Sequence, residues 1–175
     1  MDATQHDADE RFRAEIRGWL EENLAGRFAA LRGRGGSGRE HEDFEARLEW
    51  NRHMAAAGWT CVAWPVEHGG RGLSIAQQVI FHEEYARADA PARVNHLGEE
   101  LLGPTLIAHG TPEQRARFLP GIVAVEELWC QGYSEPGRAP TSPPCRPRRT
   151  ASATSGRSRG RRCGPLSPST RTGAS

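Results

Sequence analysis

A chain of 175 residues suits one ordinary domain, or a smaller domain followed by a tail. Its formal charge of +1 is the sum of two unlike parts: residues 1–137 carry 14 Arg against 22 Asp and Glu, a net of −8, and residues 138–175 carry nine Arg and no acid, a net of +9. No run approaches the roughly 18 apolar residues needed to cross a bilayer, and the acidic start has neither an apolar signal core nor a basic presequence, so a cytoplasmic protein without membrane contact is expected.

The first periodic segment, "DADERFRAEIRGWLEENLAGRF", repeats Phe12, Ile16, Trp19, Leu20 and Leu24 at helical spacing, with acids crowding its first turn where they suit the helix dipole. "GRGGSGRE" reads as a flexible loop. "HEDFEARLEWNRHMAAAG" is a second amphipathic helix, with Phe44, Leu48 and Met54 inward and Gly58 as its C-terminal cap. Pro65 and the Gly69, Gly70, Gly72 cluster bar a helix across the next stretch. Ser74 and Gln77 make a capping box, opening a third helix along Ile75, Val79 and Tyr85 that ends near Pro91. "VNHLGEELLGPTLIAHG" is apolar enough to be buried on several sides and should bend or divide at Gly103-Pro104. Thr111, Pro112 and Gln114 start a further helix as N-cap, first and third positions. "LWCQGY", Leu128–Tyr133, reads as a short strand entering the Ser134–Gly137 turn. A lone strand has no partner, so this points to a sheet that begins there.

Among chemistry-bearing residues, Cys61, Cys130, Cys145 and Cys163 are widely spaced without a CxxC pair, which argues against a zinc site or a disulfide scaffold. His82, His96 and His109 have no second ligand at metal spacing and suit surface or capping roles. Trp59 and Trp64 read as core.

The punctuation as a whole resembles the acyl-CoA dehydrogenases. The pieces are Gly58-Trp59, Trp64-Pro65, Gly69-Gly70-Arg71-Gly72-Leu73-Ser74, Gly103-Pro104, Gly110-Thr111-Pro112-Glu113-Gln114, Leu119-Pro120 and Cys130–Gly137. Each is weak alone; their order and intervals are specific, over roughly Phe12 to Gly137. The resemblance implies an all-α N-terminal domain over residues 1–127, the start of a middle β domain over 128–137, and FAD as cofactor. It also implies an acyl-CoA substrate desaturated at the α,β bond, and homo-oligomers in intact relatives. Matching positions make Gln131, Tyr133 and Ser134 the flavin-facing residues. The family's base is a Glu of its C-terminal domain, so no catalytic residue is assigned in this chain. An oxidase or monooxygenase on the same fold remains an alternative, as does a helical interaction module with an Arg-rich tail.

After Gly137 relatives continue Ala-Gly-Ser-Asp-Leu and later Gly-Gln-Lys-x-Trp. With synonymous codons chosen to suit, Gly137–Pro143 read one base earlier yields Ala-Gly-Ser-Asp-Leu-Ala. Arg159–Leu166, in the same shifted frame, yields Gly-Gln-Lys-Val-Trp-Thr-Ser. Residues 138–175 therefore read as an out-of-frame, disordered tail, and nucleic acid, which "SGRSRGRR" would otherwise suggest through phosphate contacts, is set aside as a partner. Sequencing the gene tests this. The shifted frame should run on into a β domain and a helical bundle, and a stop within a few dozen triplets would leave the basic tail to be taken at face value.

Overall fold

The computed structural model describes residues 3–132, and among these every regular element is helical. Helix α1 spans Ala3–Asn23, α2 Phe44–Ala56, α3 Ile75–Arg87, α4 Gly103–His109 and α5 Pro112–Val123. Short 3₁₀ turns occupy Gly26–Leu31 and Val66–His68, and a π turn, Gly98–Leu102, runs directly into α4.

The helix boundaries follow local chemistry. Ser74 accepts from the Gln77 amide at 3.3 Å while the Gln77 side chain reaches back to the Ser74 amide at 3.2 Å. Thr111 and Gln114 repeat the arrangement at 3.3 and 2.9 Å, with Pro112 at the first position of α5. Helix α2 closes as expected at Gly58, whose amide bonds Ala55 O at 3.0 Å while Trp59 N bonds Met54 O at 2.9 Å. The same paired bonds end α5, but there the left-handed position is Val125, at φ 56° and fully buried. A β-branched residue is strained in that region, and burial of its side chain offsets the cost.

Two apolar clusters fill the domain. The larger joins α1, α2 and α3 through Phe12, Ile16, Leu20, Trp50, Met54 and Phe81, with Trp19 packed against its edge. Trp59 stacks on Phe81 with ring centroids 6.1 Å apart. The smaller gathers Cys61, Trp64, Leu119 and Ile122 between the 61–64 segment and α4–α5. The turn-rich segment between α2 and the first glycine cluster feeds both: Trp59 and Val62 go to the larger cluster, Cys61 and Trp64 to the smaller. Trp59 and Trp64 are thus core residues, only 2% and 3% exposed.

Several expectations need correction. Helix α1 begins at Ala3, so no acid lies in its first turn and the dipole argument for its acids does not apply. Phe44 opens α2 instead of lying on its inner stripe and is 38% exposed; Arg47, Leu48, Trp50, Asn51 and Met54 turn inward. Helix α3 stops at Arg87, and its buried side is Ile80, Phe81 and Glu84, which leaves Ile75 and Val79 outward. The segment around Gly103 is not buried on several sides, since Leu101 is exposed; its buried members include Asn95 and Glu99. Leu128–Gly132 forms no regular element, so the expected strand is absent among the described residues. Its backbone instead docks on Asn95, as set out below. Tyr133 and residues 138–175 lie outside the described residues.

Helices α1 and α3 are also held by charge. Glu84 is 2% exposed and accepts from Arg13 at 3.0 Å, Arg17 at 2.9 and 2.8 Å and Arg87 at 3.0 Å. These contacts, Arg17 foremost, hold its pKa at about 2 against an ordinary 4.5. A carboxylate lowered on folding stabilises the fold fully above its unfolded pKa, and that contribution disappears as pH falls from about 4.5 toward about 2. Glu84→Gln is expected to cost about 2 kcal/mol at pH 7, less than a wholly buried pair because the arginines are part-solvated. It should also flatten the acid limb of stability measured by urea denaturation across that range.

Candidate functional site

The π turn is the irregular centre of the domain. Pro104 has no amide to donate back along the helix, and the Gly103 N–H bonds Gly98 O, five residues earlier. Gly103 also lies flat against Trp64: a methyl group there would fall inside the indole ring. Trp64 Nε1 in turn donates to Glu99 O at 2.8 Å. The π turn and the 61–64 segment are therefore fixed to each other by packing and by a buried hydrogen bond.

Glu99, buried on this turn, receives Arg93 Nη1 on Oε2 at 2.6 Å, and Arg93 Nη2 reaches Glu100 Oε1. Burial pushes the Glu99 carboxyl up, against the pull of Arg93 and of the Cys61 amide. Burial works to lower Arg93, yet Glu99 and Glu100 together raise it, so the guanidinium stays charged. Burial, then the Glu99 charge, raises the Cys61 thiol. His82 is lowered by burial and then by Arg93, which keeps its imidazole neutral at pH 7. These groups border a cavity of about 230 Å³ whose remaining wall includes Val62, Ala63, Gln78 and Pro104.

On its other side the π turn guides the last described residues. Asn95 is fully buried. Its Nδ2 donates to Ile122 O at 3.4 Å and to Glu127 O at 3.1 Å, and its Oδ1 accepts from Trp129 N at 3.2 Å. The Trp129 ring meets Phe118 edge-on at 5.5 Å. Gln131 is exposed and borders a second hollow of about 230 Å³ with Leu97, Leu101, Leu102 and Trp129. Of the three residues expected to face a flavin, Gln131 is therefore placed at the end of this clip, while Tyr133 and Ser134 lie outside the described residues.

Residues 6–126 match the family model described as "Acyl-CoA dehydrogenase, N-terminal domain". The chain belongs to the acyl-CoA dehydrogenase family. It is 72% identical over 128 residues to acyl-CoA dehydrogenase IpdE1 of Mycobacterium tuberculosis, an alignment that covers 73% of this chain and 33% of the relative. IpdE1 of Mycolicibacterium smegmatis is 71% identical over 127 residues, covering 73% and 32%. Among solved structures, the Tcur3481–Tcur3483 steroid ACAD superposes with a TM-score of 0.60 at 30% identity, over 75% of this chain and 33% of that one. The ChsE4–ChsE5 complex from Mycobacterium tuberculosis gives a TM-score of 0.58 at 35% identity, over 74% and 31%. The chain spans about a third of the length of these acyl-CoA dehydrogenases.

Asn95, Arg93 and Glu99 were not singled out from the sequence. The available signal was polar residues set within an apolar segment that a Gly-Pro pair interrupts, because a buried polar side chain needs a partner supplied from elsewhere. Asn95→Ala would strand the Trp129 amide and the Glu127 carbonyl, while Ile122 O keeps the Val125 amide. It should destabilise the domain by about 2–3 kcal/mol in urea melts. It should also expose Trp129, seen as a red shift in emission that a Trp129→Phe background abolishes.

Proposed function

We propose that this chain is the N-terminal part of an FAD-dependent acyl-CoA dehydrogenase acting on the α,β bond of an acyl-CoA thioester. The observation that carries the reading is the family match over residues 6–126, joined to the Asn95 clip that fixes the backbone at Glu127 and Trp129, just ahead of Gln131 in the chain. In domain terms we read residues 1–127 as the helical domain, 128–137 as the entry to the β domain and 138–175 as out of frame.

The residues present fit a flavin at one point. The Gln131 carboxamide is exposed beside the apolar surface of Leu97, Leu101 and Trp129, a polar donor at the rim of an apolar wall. In this reading Gln131, Tyr133 and Ser134 donate hydrogen bonds to the flavin ring and orient it. FAD, when bound, takes the hydride leaving the β-carbon. Asn95 holds the approach to that segment through the Trp129 amide. We assign no residue of this chain to removal of the α-proton.

For the substrate we infer an acyl-CoA with a bulky cyclic acyl group, supported by the steroid ACAD among the structural relatives. We further infer a cytoplasmic, oligomeric enzyme. The resemblance implies a homo-oligomer, while the ChsE4–ChsE5 complex pairs two differently named chains. Among the described residues no helix is long and apolar enough to cross a membrane.

A polypeptide of these 175 residues contributes only the Gln131–Gly137 segment to a pocket that several segments must converge to form. Purified alone, it is expected to carry no flavin and to reduce no electron acceptor when given an acyl-CoA. Stoichiometric flavin absorbance in the purified chain would overturn that expectation.

A further inference from the structure

Where the C-terminal ends of α1 and α3 meet, a hollow of about 200 Å³ holds more guanidinium than carboxylate. Arg17 of α1, Arg87 of α3 and Arg32, which follows the Gly26–Leu31 turn, all line it, with Glu84 and Glu21 as its acids. Arg17 gives Nε and Nη2 to Glu84, and Arg87 gives Nε to Glu84 and Nη2 to Glu21, which leaves the Nη1 of both unengaged among the described residues. Arg32 is exposed and meets no carboxylate at all. Its Nη1 donates to Ala88 O and its Nη2 to Leu24 O at 3.0 Å. Carbonyls at a helix C-terminus satisfy those N–H groups but bring only a fraction of a charge.

The two acids do not balance the three cations. Glu84 is a single charge, and Arg13 draws on it as well. Glu21 is 67% exposed and reaches Arg87 only at 3.5 Å, a contact that water and salt screen. The excess selects the occupant. A cation would be repelled, and an apolar group would strip water from N–H groups without replacing it. A compact anion answers both the charge and the free donors. Those donors come from three separate elements, which suits a tetrahedral oxyanion with acceptors in several directions better than a planar carboxylate.

We propose that this hollow binds a phosphate group, held by Arg17 Nη1, Arg87 Nη1 and Arg32 above the buried Glu84. Arg32 already joins the ends of α1 and α3, so a bound phosphate adds a charged tie across the same junction. The proposal is independent of the acyl-CoA reading, since none of the lining residues belongs to the π turn or to the segment at Trp129–Gln131.

The test titrates the full 175-residue chain with inorganic phosphate at pH 7 and constant ionic strength, chloride making up the balance, by calorimetry and by thermal unfolding. Saturable binding at one site is expected, with Tm rising as the logarithm of phosphate concentration beyond saturation, and chloride alone should give no rise. Glu21→Gln removes an exposed acid from the rim and should tighten phosphate binding about threefold, an effect opposite to that of a lost structural ion pair. Arg32→Gln should weaken binding about tenfold. Should that variant fail to fold with Leu24 O and Ala88 O unpaired, Ala88→Glu sets a carboxylate in the hollow instead, and should abolish phosphate binding with an unchanged helical spectrum. AMP that competes with phosphate assigns the site to phosphate monoesters; AMP that does not compete assigns it to the free ion, and either result supports the proposal. An equal rise in Tm with chloride overturns it. So does the absence of phosphate binding, binding that survives Ala88→Glu, or binding that Glu21→Gln leaves unchanged or weakens.

Discussion

The domain depends on a slot one indole wide. Trp64 is bounded on one side by Gly103, where a methyl group would enter its ring, and on another by Gly70, where a methyl group would meet its own backbone carbonyl. The carbonyl is also bonded by Gly72 N at 2.8 Å, and the indole N–H is spent on Glu99 O. Close packing permits no small adjustment here: any side chain at either glycine displaces the tryptophan, and with it the smaller of the two cores. Three motifs far apart in the chain, Trp64-Pro65, the Gly69–Gly72 cluster and Gly103-Pro104, are thus one structural feature.

That slot explains why the helix after His96 is irregular. Gly103 must approach Trp64, Pro104 follows and cannot donate, and the turn before them widens to a five-residue step. Widening sends the side chains of this segment to two places. Glu99 goes inward toward Arg93 and the 61–64 segment, while Leu101 is left exposed and Leu102 packs against the smaller core. In an acyl-CoA dehydrogenase domain this single turn therefore links the polar cavity to the segment that leads on to Gln131.

Buried polar groups do much of the joining between elements. Glu84 gathers arginines from α1 and α3, Asn95 ties α5 and the exit segment together, and Thr60 donates to Val123 O at 2.9 Å across the smaller core. Each pays a desolvation penalty that only correct geometry returns, so a wrong register of helices leaves several groups unsatisfied at once. Apolar contact tolerates small displacements; these bonds do not. They give the domain a single arrangement where two modest cores alone would permit slippage.

Local order was legible in the amino-acid sequence wherever the cause lies within a few residues. The capping boxes at Ser74 and Thr111, the Gly58 cap, the inward stripe of α1 and the exclusion of helix between Trp59 and Ser74 are of that kind, as is the family resemblance carried by the punctuation. Other features were set only by what lies opposite in the folded chain. Ile75 and Val79 share helical spacing with true core residues, and nothing in α3 alone says that Phe81 and Glu84 face α1 instead. The run Leu128–Tyr133 has strand composition, but a strand exists only when another backbone pairs with it, and its Trp129 amide is taken by Asn95. Asn95, Arg93 and Glu99 look like surface residues by type. They become interior because Trp64, some thirty positions earlier, needs the glycine that follows them, and this long-range steric demand has no local signature.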